Sequence, residues 1–359
     1  MVQALLLAVA VAQGGTPVAD PFAPPEALLT FARSVAPIRL DEKGRLDALV
    51  EAVFRSQEDG GLGVQYDNDY TRTVEEVWRD RRANCLSLTA LCIAACKAVG
   101  IHADFAEVVG STAWSRNGEL VLQERHIVAL VRAAQLRDDL VLDFNPRVRS
   151  RLGMYALVTL TPERARALFH SNRAAELLTQ RRLDEALIQS QRAVTEDPDL
   201  SVGWNAEGLV LKALGRVGEA EDAYRRGLTC DREDASILNN LEVLLRENGR
   251  IKEADHVRSE SRKLRERNPY YQSFLAEEAL GTGDLDEAMR RIKRAIHRYK
   301  REPRFYLLKA RILMAQGREK KATKVLERGA ELASGGERER YDIKLTQMRQ
   351  ALAASQNPQ

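Results

Sequence analysis

Apolar positions recur at helical spacing in PEALLTFARSV and in KGRLDALVEAVFRSQ, which predicts two amphipathic helices near the start of the chain. A polar stretch, YDNDYTRTVEEVWRDRRA, then runs into residues 85–99, where almost every side chain is small or apolar. A helix without a polar face is one buried on all sides. Asn84 is placed to cap it, and Lys97 followed by Gly100 to stop it. Beyond Gly100 the pattern becomes that of strands, in IHADFAEVV, ELVLQERHIVALV and DLVLDFNP. The last two, joined by the polar RAAQLRDD, are expected as antiparallel neighbours.

The second half has a different order. Alanine recurs every 34 residues, at Ala186, Ala220, Ala254, Ala288 and Ala322. Five positions before each stands Arg181, Gly215, Gly249, Gly283 or Gly317. Twelve before stands Ala174, Gly208, Glu242, Ala276 or Ala310, and seven after stands Ala193, Gly227, Ser261, Ala295 or Gly329. Small residues let two helices approach closely, and glycine ends the first helix before a tight turn, so the period predicts five helical hairpins. With Trp204, Gly208, Tyr224 and the EDP ending at Pro198, the pattern resembles the tetratricopeptide repeat (TPR). Its repeats run 167–200, 201–234, 235–268, 269–302 and 303–336. Glu242 departs from the small-residue position, and the terminal proline is absent or displaced after the first repeat. Thr161 and Pro162 mark a helix start within a junction at 156–166, and residues 337–359 are expected as a polar capping helix and a disordered tail.

The resemblance implies a concave face that binds a protein or peptide partner. On the family's register Asn205, Lys212, Asn239 and Arg246 point toward that groove. The amides could hold an extended backbone and the cations a carboxylate, although polar residues on a solvated helix need no ligand.

Length and charge narrow the field. The 359 residues suffice for two or three domains, and a net charge of +3 gives no polyelectrolyte signature for nucleic acid. Four cysteines without a CxxC pair argue against a disulfide framework or a thiolate metal site. YDNDY lacks the glycine and closing glutamate of a calcium loop, and neither a phosphate-binding glycine loop nor HExxH occurs. No cofactor and no metal are expected. The apolar run in MVQALLLAVAVAQ, with Ala10-Val11-Ala12 before Gln13, reads as a signal peptide over 1–15 and implies export to a periplasmic or extracellular space. If that run is instead an ordinary apolar helix, the protein is cytoplasmic. It is shorter than the roughly 20 residues a membrane span needs.

Three cysteines fall in or beside the apolar helix. Cys92 and Cys96 lie on the stripe of Leu88 and Val99 and read as packing. Cys85 lies in the first turn, where free N–H groups and the helix dipole favour a thiolate. If the hairpin turns near Leu136, His126 faces the region of Asp143 and Asn145, which share one face of their strand. Thiol, imidazole and carboxylate in that relation are nucleophile, base and orienter of acyl transfer. The backbone N–H of Cys85 is a natural oxyanion donor, and Trp78, Tyr70 or Asn145 could supply a second or orient the imidazole.

NCLSLTALCIAACKAVGIHADFAEV, RHIVALV and LVLDFNP, in that order, resemble the transglutaminase-like superfamily over about residues 60–150. That resemblance implies a papain-type α+β domain over 16–155, with its triad on Cys85, His126 and Asp143. The expected architecture is therefore an α+β papain/transglutaminase-like domain joined to an all-α solenoid. The expected activity is amide hydrolysis or transamidation through a thioester. The rival expectation is a catalytically inactive relative acting as an interaction scaffold. The oligomeric state is not legible.

Overall fold

In a computed structural model, residues 20–109, 113–117, 120–124, 126–132, 140–142, 156–333, 338 and 341–346 are described. Residues 1–15, Asp143 and Asn145, and most of 337–359 lie outside them. The chain is predominantly helical, a smaller sheet-bearing N-terminal part leading into a solenoid.

The N-terminal part is built around one helix. Helices α1 (Glu26–Val35), α2 (Glu42–Phe54) and α3 (Val74–Asp80) pack against α4 (Cys85–Ala98) together with strands β3 (His102–Val109) and β6 (Ile127–Arg132). Every α4 residue from Leu86 to Cys96 is buried. Burying Leu86, Leu88, Leu91 and Ile93 contributes about 6–12 kcal/mol. Tertiary packing therefore holds this helix far more than helix propensity does.

Two short strands, β1 (Gln65–Tyr66) and β2 (Arg82–Ala83), run parallel and bracket α3. The main sheet is antiparallel in the order β7-β6-β3-β8, with β7 at Leu140–Leu142 and β8 at Ala156–Thr159. Ala129 pairs with Leu142 and Val131 with Leu140, the antiparallel neighbourhood expected of these two strands. A separate hairpin joins β4 (Ala113–Asn117) to β5 (Leu120–Glu124).

Ten helices follow in five antiparallel pairs, and the described residues 341–346 beyond them are also helical. The first three pairs are α5 (Pro162–Thr179) with α6 (Leu183–Glu196), α7 (Ser201–Ala213) with α8 (Val217–Cys230), and α9 (Ala235–Glu247) with α10 (Ile251–Arg267). The last two pairs are α11 (Pro269–Gly281) with α12 (Leu285–Arg298), and α13 (Pro303–Ala315) with α14 (Glu319–Leu332). The five alanines spaced 34 apart all reach zero exposure, because each sits where the two helices of a pair touch. Thr161 caps α5 by accepting from the Arg164 N–H at 3.2 Å, with Pro162 following it. At the far end Tyr341 and Leu345 are buried against α14, an apolar contact within a segment expected to be polar.

Each first helix ends in the left-handed region. Gly215, Gly249, Gly283 and Gly317 have φ of 75°, 75°, 81° and 69°, and Arg181 takes the same conformation at φ 61°. The chain then folds back through Arg182 N–H to Leu177 C=O at 3.0 Å and, one repeat on, Arg216 N–H to Leu211 C=O at 2.9 Å. Among the five helix pairs only position 181 carries a Cβ in this conformation, as Arg81 does at φ 56° after α3. Arg181→Gly is therefore expected to raise stability by about 1 kcal/mol, read as a higher midpoint in urea unfolding.

Glu242 breaks the small-residue pattern and changes the packing around it. Its carboxylate is half-buried beside Arg246 at 2.9 Å, and its partner helix α10 buries only Ala254 and Ser261. The apolar core divides there, one cluster ending near Val257 and the next starting near Tyr270. A polar knot bridges the gap: Gln272, fully buried, and Arg291 both hold Glu266.

The two parts share one core. Ala165, Leu168 and Phe169 of α5, with Leu200, join the cluster formed by α1, α2, α4 and the sheet. Phe22 links them, its ring 5.0 Å from Phe105 and 5.9 Å from Phe169. The first helix pair is thereby fixed against the N-terminal part.

Candidate functional site

The start of α4 is held by hydrogen bonds from three segments. Asn84 caps it, accepting from the Ser87 N–H at 2.9 Å, and donates its amide to Thr71 Oγ1 at 2.8 Å. Ser87 Oγ donates to the Arg72 carbonyl at 2.7 Å and accepts from the Arg72 N–H at 2.8 Å. Thr71 in turn donates its N–H to Glu176 Oε1 of α5 at 2.6 Å. Burial pushes the Glu176 carboxyl above its usual value, against the Thr71 N–H and the Arg173 guanidinium at 3.2 Å. One cap thus ties the cysteine helix, residues 71–72 and the solenoid together.

The residues just before this cap form a charged lock. Asp67 receives Arg72 at 2.8 Å and Arg82 at 3.2 Å, and Arg72 also approaches Asp80 at 3.4 Å. The Asp69 N–H and these guanidiniums hold the Asp67 carboxyl below the usual carboxylate value despite its burial. The acidic YDNDY run therefore serves folding around Asp67. Among the described residues no group of three or more His, Cys, Asp or Glu is arranged to hold a metal ion.

Cys85 occupies the first helical position and is partly exposed, whereas Cys92 and Cys96 are buried. Burial raises the thiols of both inner cysteines, that of Cys96 up to about 12. They are packing residues. The fourth cysteine, Cys230, is exposed at the end of α8.

Cys85 opens onto a cavity of about 340 Å³. Its apolar wall comes from Leu86, Ile127, Leu168 and Val202, and its polar wall from Asn172, Asn205, Ser236 and the carboxylates Asp231, Glu233 and Asp234. The cavity thus lies between the cysteine helix and the first helices of three successive pairs. His126 is buried at the head of β6, next to the lining residue Ile127. Thr89, one turn after Cys85 on the same helix face, donates to the Ile127 carbonyl at 3.4 Å. That contact turns the Cys85 face of α4 toward the strand start carrying His126. Asp143 and Asn145 fall outside the described residues.

The remaining candidates are engaged elsewhere. Trp78 lies 5.9 Å from the Phe31 ring and carries the Arg81 guanidinium 4.1 Å above its own. Tyr70 carries Arg173 at 3.8 Å and Arg72 at 5.4 Å. Neither is among the described residues that line the cavity.

On the first helices of the second and third pairs, Lys212 pairs with Glu247 at 2.8 Å, and Arg246 pairs with both Glu242 and Asp255. Their charges meet carboxylates of this chain. Asn205 accepts from Asn240 at 2.8 Å and lines the cavity, while Asn239 stays half-buried on α9. The acidic wall at 231–234 was not singled out in the sequence. Its signal was the cluster DRED between two helices of the repeat pattern.

Residues 279–341 match the sequence model of the family described as tetratricopeptide repeat. The chain carries TPR repeats. A 74-residue stretch, 21% of this chain, is 32% identical to the heat shock protein sti1 homolog of Schizosaccharomyces pombe, of whose length it spans 12%. Among solved structures, pilF of Pseudomonas aeruginosa is similar at 18% identity and TM-score 0.28, over 53% of this chain and 87% of that one. MamA of Desulfovibrio magneticus RS-1 is similar at 15% identity and TM-score 0.26, over 46% of this chain and 94% of that one. The first three helix pairs supply one wall of the Cys85 cavity.

Proposed function

We propose that the chain is a cysteine-dependent acyl-transfer protein whose TPR module presents a peptide or protein segment to Cys85. The observation that carries this reading is the cavity itself. A partly exposed thiol at a helix start shares it with the head of the histidine-bearing strand and with the concave helices of the repeats. An isolated structural cysteine needs no such setting, and Cys92 and Cys96 of the same helix have none.

In this reading the Cys85 sulfur attacks an amide carbonyl and His126 takes the thiol proton. The tetrahedral oxyanion sits at the start of α4, where the backbone N–H of Cys85 precedes the first intrahelical bonds. Collapse breaks the C–N bond, His126 returns the proton to the leaving amine, and a thioester remains on Cys85. Water then releases an acid, or an amine releases a new amide. Asp143 would orient the imidazole, as the resemblance to the transglutaminase-like superfamily implies, within a papain-type domain.

Labelling by iodoacetamide near pH 6 tests the proposal on the full chain, with attachment mapped by mass spectrometry. Cys85 is expected to react at least about tenfold faster than a free thiol, and His126→Ala to remove that advantage. Cys85 reacting no faster than a free thiol, with His126→Ala unchanged, would leave the inactive scaffold as the correct reading.

A further inference from the structure

We propose that Glu176, in the first helix of the repeats, is a positioning residue for Cys85, acting through Thr71 and the Asn84 cap. This rests on the reading of Cys85 as the reacting group and makes the first helix pair part of its machinery.

The repeat itself singles this residue out. At steps of 34 residues the position of Glu176 is held by Val210, Leu244, Glu278 and Ile312. Val210, Leu244 and Ile312 are 1%, 1% and 0% exposed, so in three repeats an apolar side chain fills the position from within the solenoid. A carboxylate there is desolvated at a cost. Arg173 of the same helix offsets part of it at 3.2 Å. The shorter contact, 2.6 Å, is to the N–H of Thr71, 105 residues earlier in the chain and outside the solenoid.

What Glu176 holds there is the support of the thiol's helix. Thr71 is 1% exposed and Asn84 7%, so neither can turn to water for a lost partner. The Glu176 oxygen fixes the Thr71 backbone through its N–H, and the Thr71 hydroxyl fixes the Asn84 amide. The Asn84 oxygen then closes the first turn of α4 on the Ser87 N–H, and Cys85 is the first residue of that turn. The free N–H groups of a helix start favour a thiolate only while the turn is formed. Packing of Phe22 on Phe169 joins the two parts without direction, whereas this chain of bonds sets one.

The test uses the full chain with Cys230→Ser, so that iodoacetamide reads Cys85. Glu176→Ala is expected to lower the labelling rate at least about fivefold at pH 6 and less than about twofold at pH 9, where an ordinary thiol is mostly ionised. The titratable groups around the cavity, His126 at the head of β6 and Asp231, Glu233 and Asp234 before α9, are the same in every variant. Glu176→Gln keeps an oxygen for the Thr71 N–H and should retain at least half the wild-type rate. Thr71→Val keeps the N–H and removes the hydroxyl; it should act as Glu176→Ala does, and the double variant should fall no further. Gln189→Ala removes the 2.7 Å contact to His170 within the same helix pair and should leave the rate unchanged. With wild-type Cys85 faster than a free thiol, three results overturn the proposal: equal rates for wild type and Glu176→Ala at pH 6, an equal fall at both pH values, or the same fall in Gln189→Ala.

Hydrogen exchange over residues 84–91, read by mass spectrometry, gives a second measurement that does not need the thiol. Glu176→Ala should speed exchange there at least about fivefold relative to Gln189→Ala. Unchanged exchange overturns the proposal. If exchange responds as expected while wild-type Cys85 labels no faster than a free thiol, the acyl-transfer reading fails and the hold of Glu176 on the helix start stands.

Discussion

Asp67→Asn should destabilise the folded chain by about 3 kcal/mol, seen as a lower midpoint in urea unfolding without a change in slope. The Asp67 side chain is 4% exposed and that of Arg72 11%, so the pair is largely dry. Removing the carboxylate leaves a buried guanidinium held by the Tyr70 carbonyl at 3.3 Å and the longer ion pair to Asp80 at 3.4 Å. The loss is that of an uncompensated buried charge, which exceeds what the pair itself contributes. The pH dependence has a definite sign. The folded Asp67 carboxyl releases its proton at lower pH than in the unfolded chain, where the value is about 3.9. Its contribution is therefore complete above that value and is lost as pH falls through the folded one. The variant should lack this part of the acid dependence. Since residues 71–72 bond the Cys85 helix directly, iodoacetamide labelling of Cys85 should also become less uniform.

The second large effect concerns Gly208. A Cβ there would overlap the Tyr224 ring, in a pair of helices where Tyr224 is fully buried. Gly208→Ala is expected to cost about 2–3 kcal/mol, because neither the ring nor the helix backbone can retreat within a filled core. Gly218, also in a helix but with open space around its Cα, is the control. Gly218→Ala should be neutral or slightly stabilising, as the helix preference for alanine acts there unopposed. The thermal unfolding midpoint should fall clearly for Gly208→Ala and hold or rise slightly for Gly218→Ala.

Much of this architecture can be read from residue order. The 34-residue spacing of alanines fixes which faces of ten helices meet, and each of those alanines is buried without exposure. The apolar run after Asn84 fixes a helix buried all round, with its cap on Asn84. Such features are legible because they depend on local periodicity and on a single turn of backbone. The departures are legible too: Arg181 where glycine recurs, and Glu242 where a small residue does.

The candidate site was less accessible to the same reasoning. Cys85 stands out at a helix start. Its surroundings, however, come from Leu168, Val202, Asn205 and residues 231–236, at sequence separations that no local pattern encodes. Lys212 and Arg246 looked free in sequence; Glu247 comes beside Lys212 only when repeats stack, and Asp255 beside Arg246 only when α10 folds back on α9. The Asp67 lock was likewise hidden in a run that reads as acidic loop.

The sequence alone determined the repeat, the buried helix and the position of its first cysteine, because periodicity and capping act over a few residues. The tertiary structure alone decided what faces that cysteine. A shared core through Phe22, Phe105 and Phe169 seats the first helix pair against the N-terminal part. The stacking of repeats then carries an acidic loop, about 150 residues downstream, to the mouth of the same cavity.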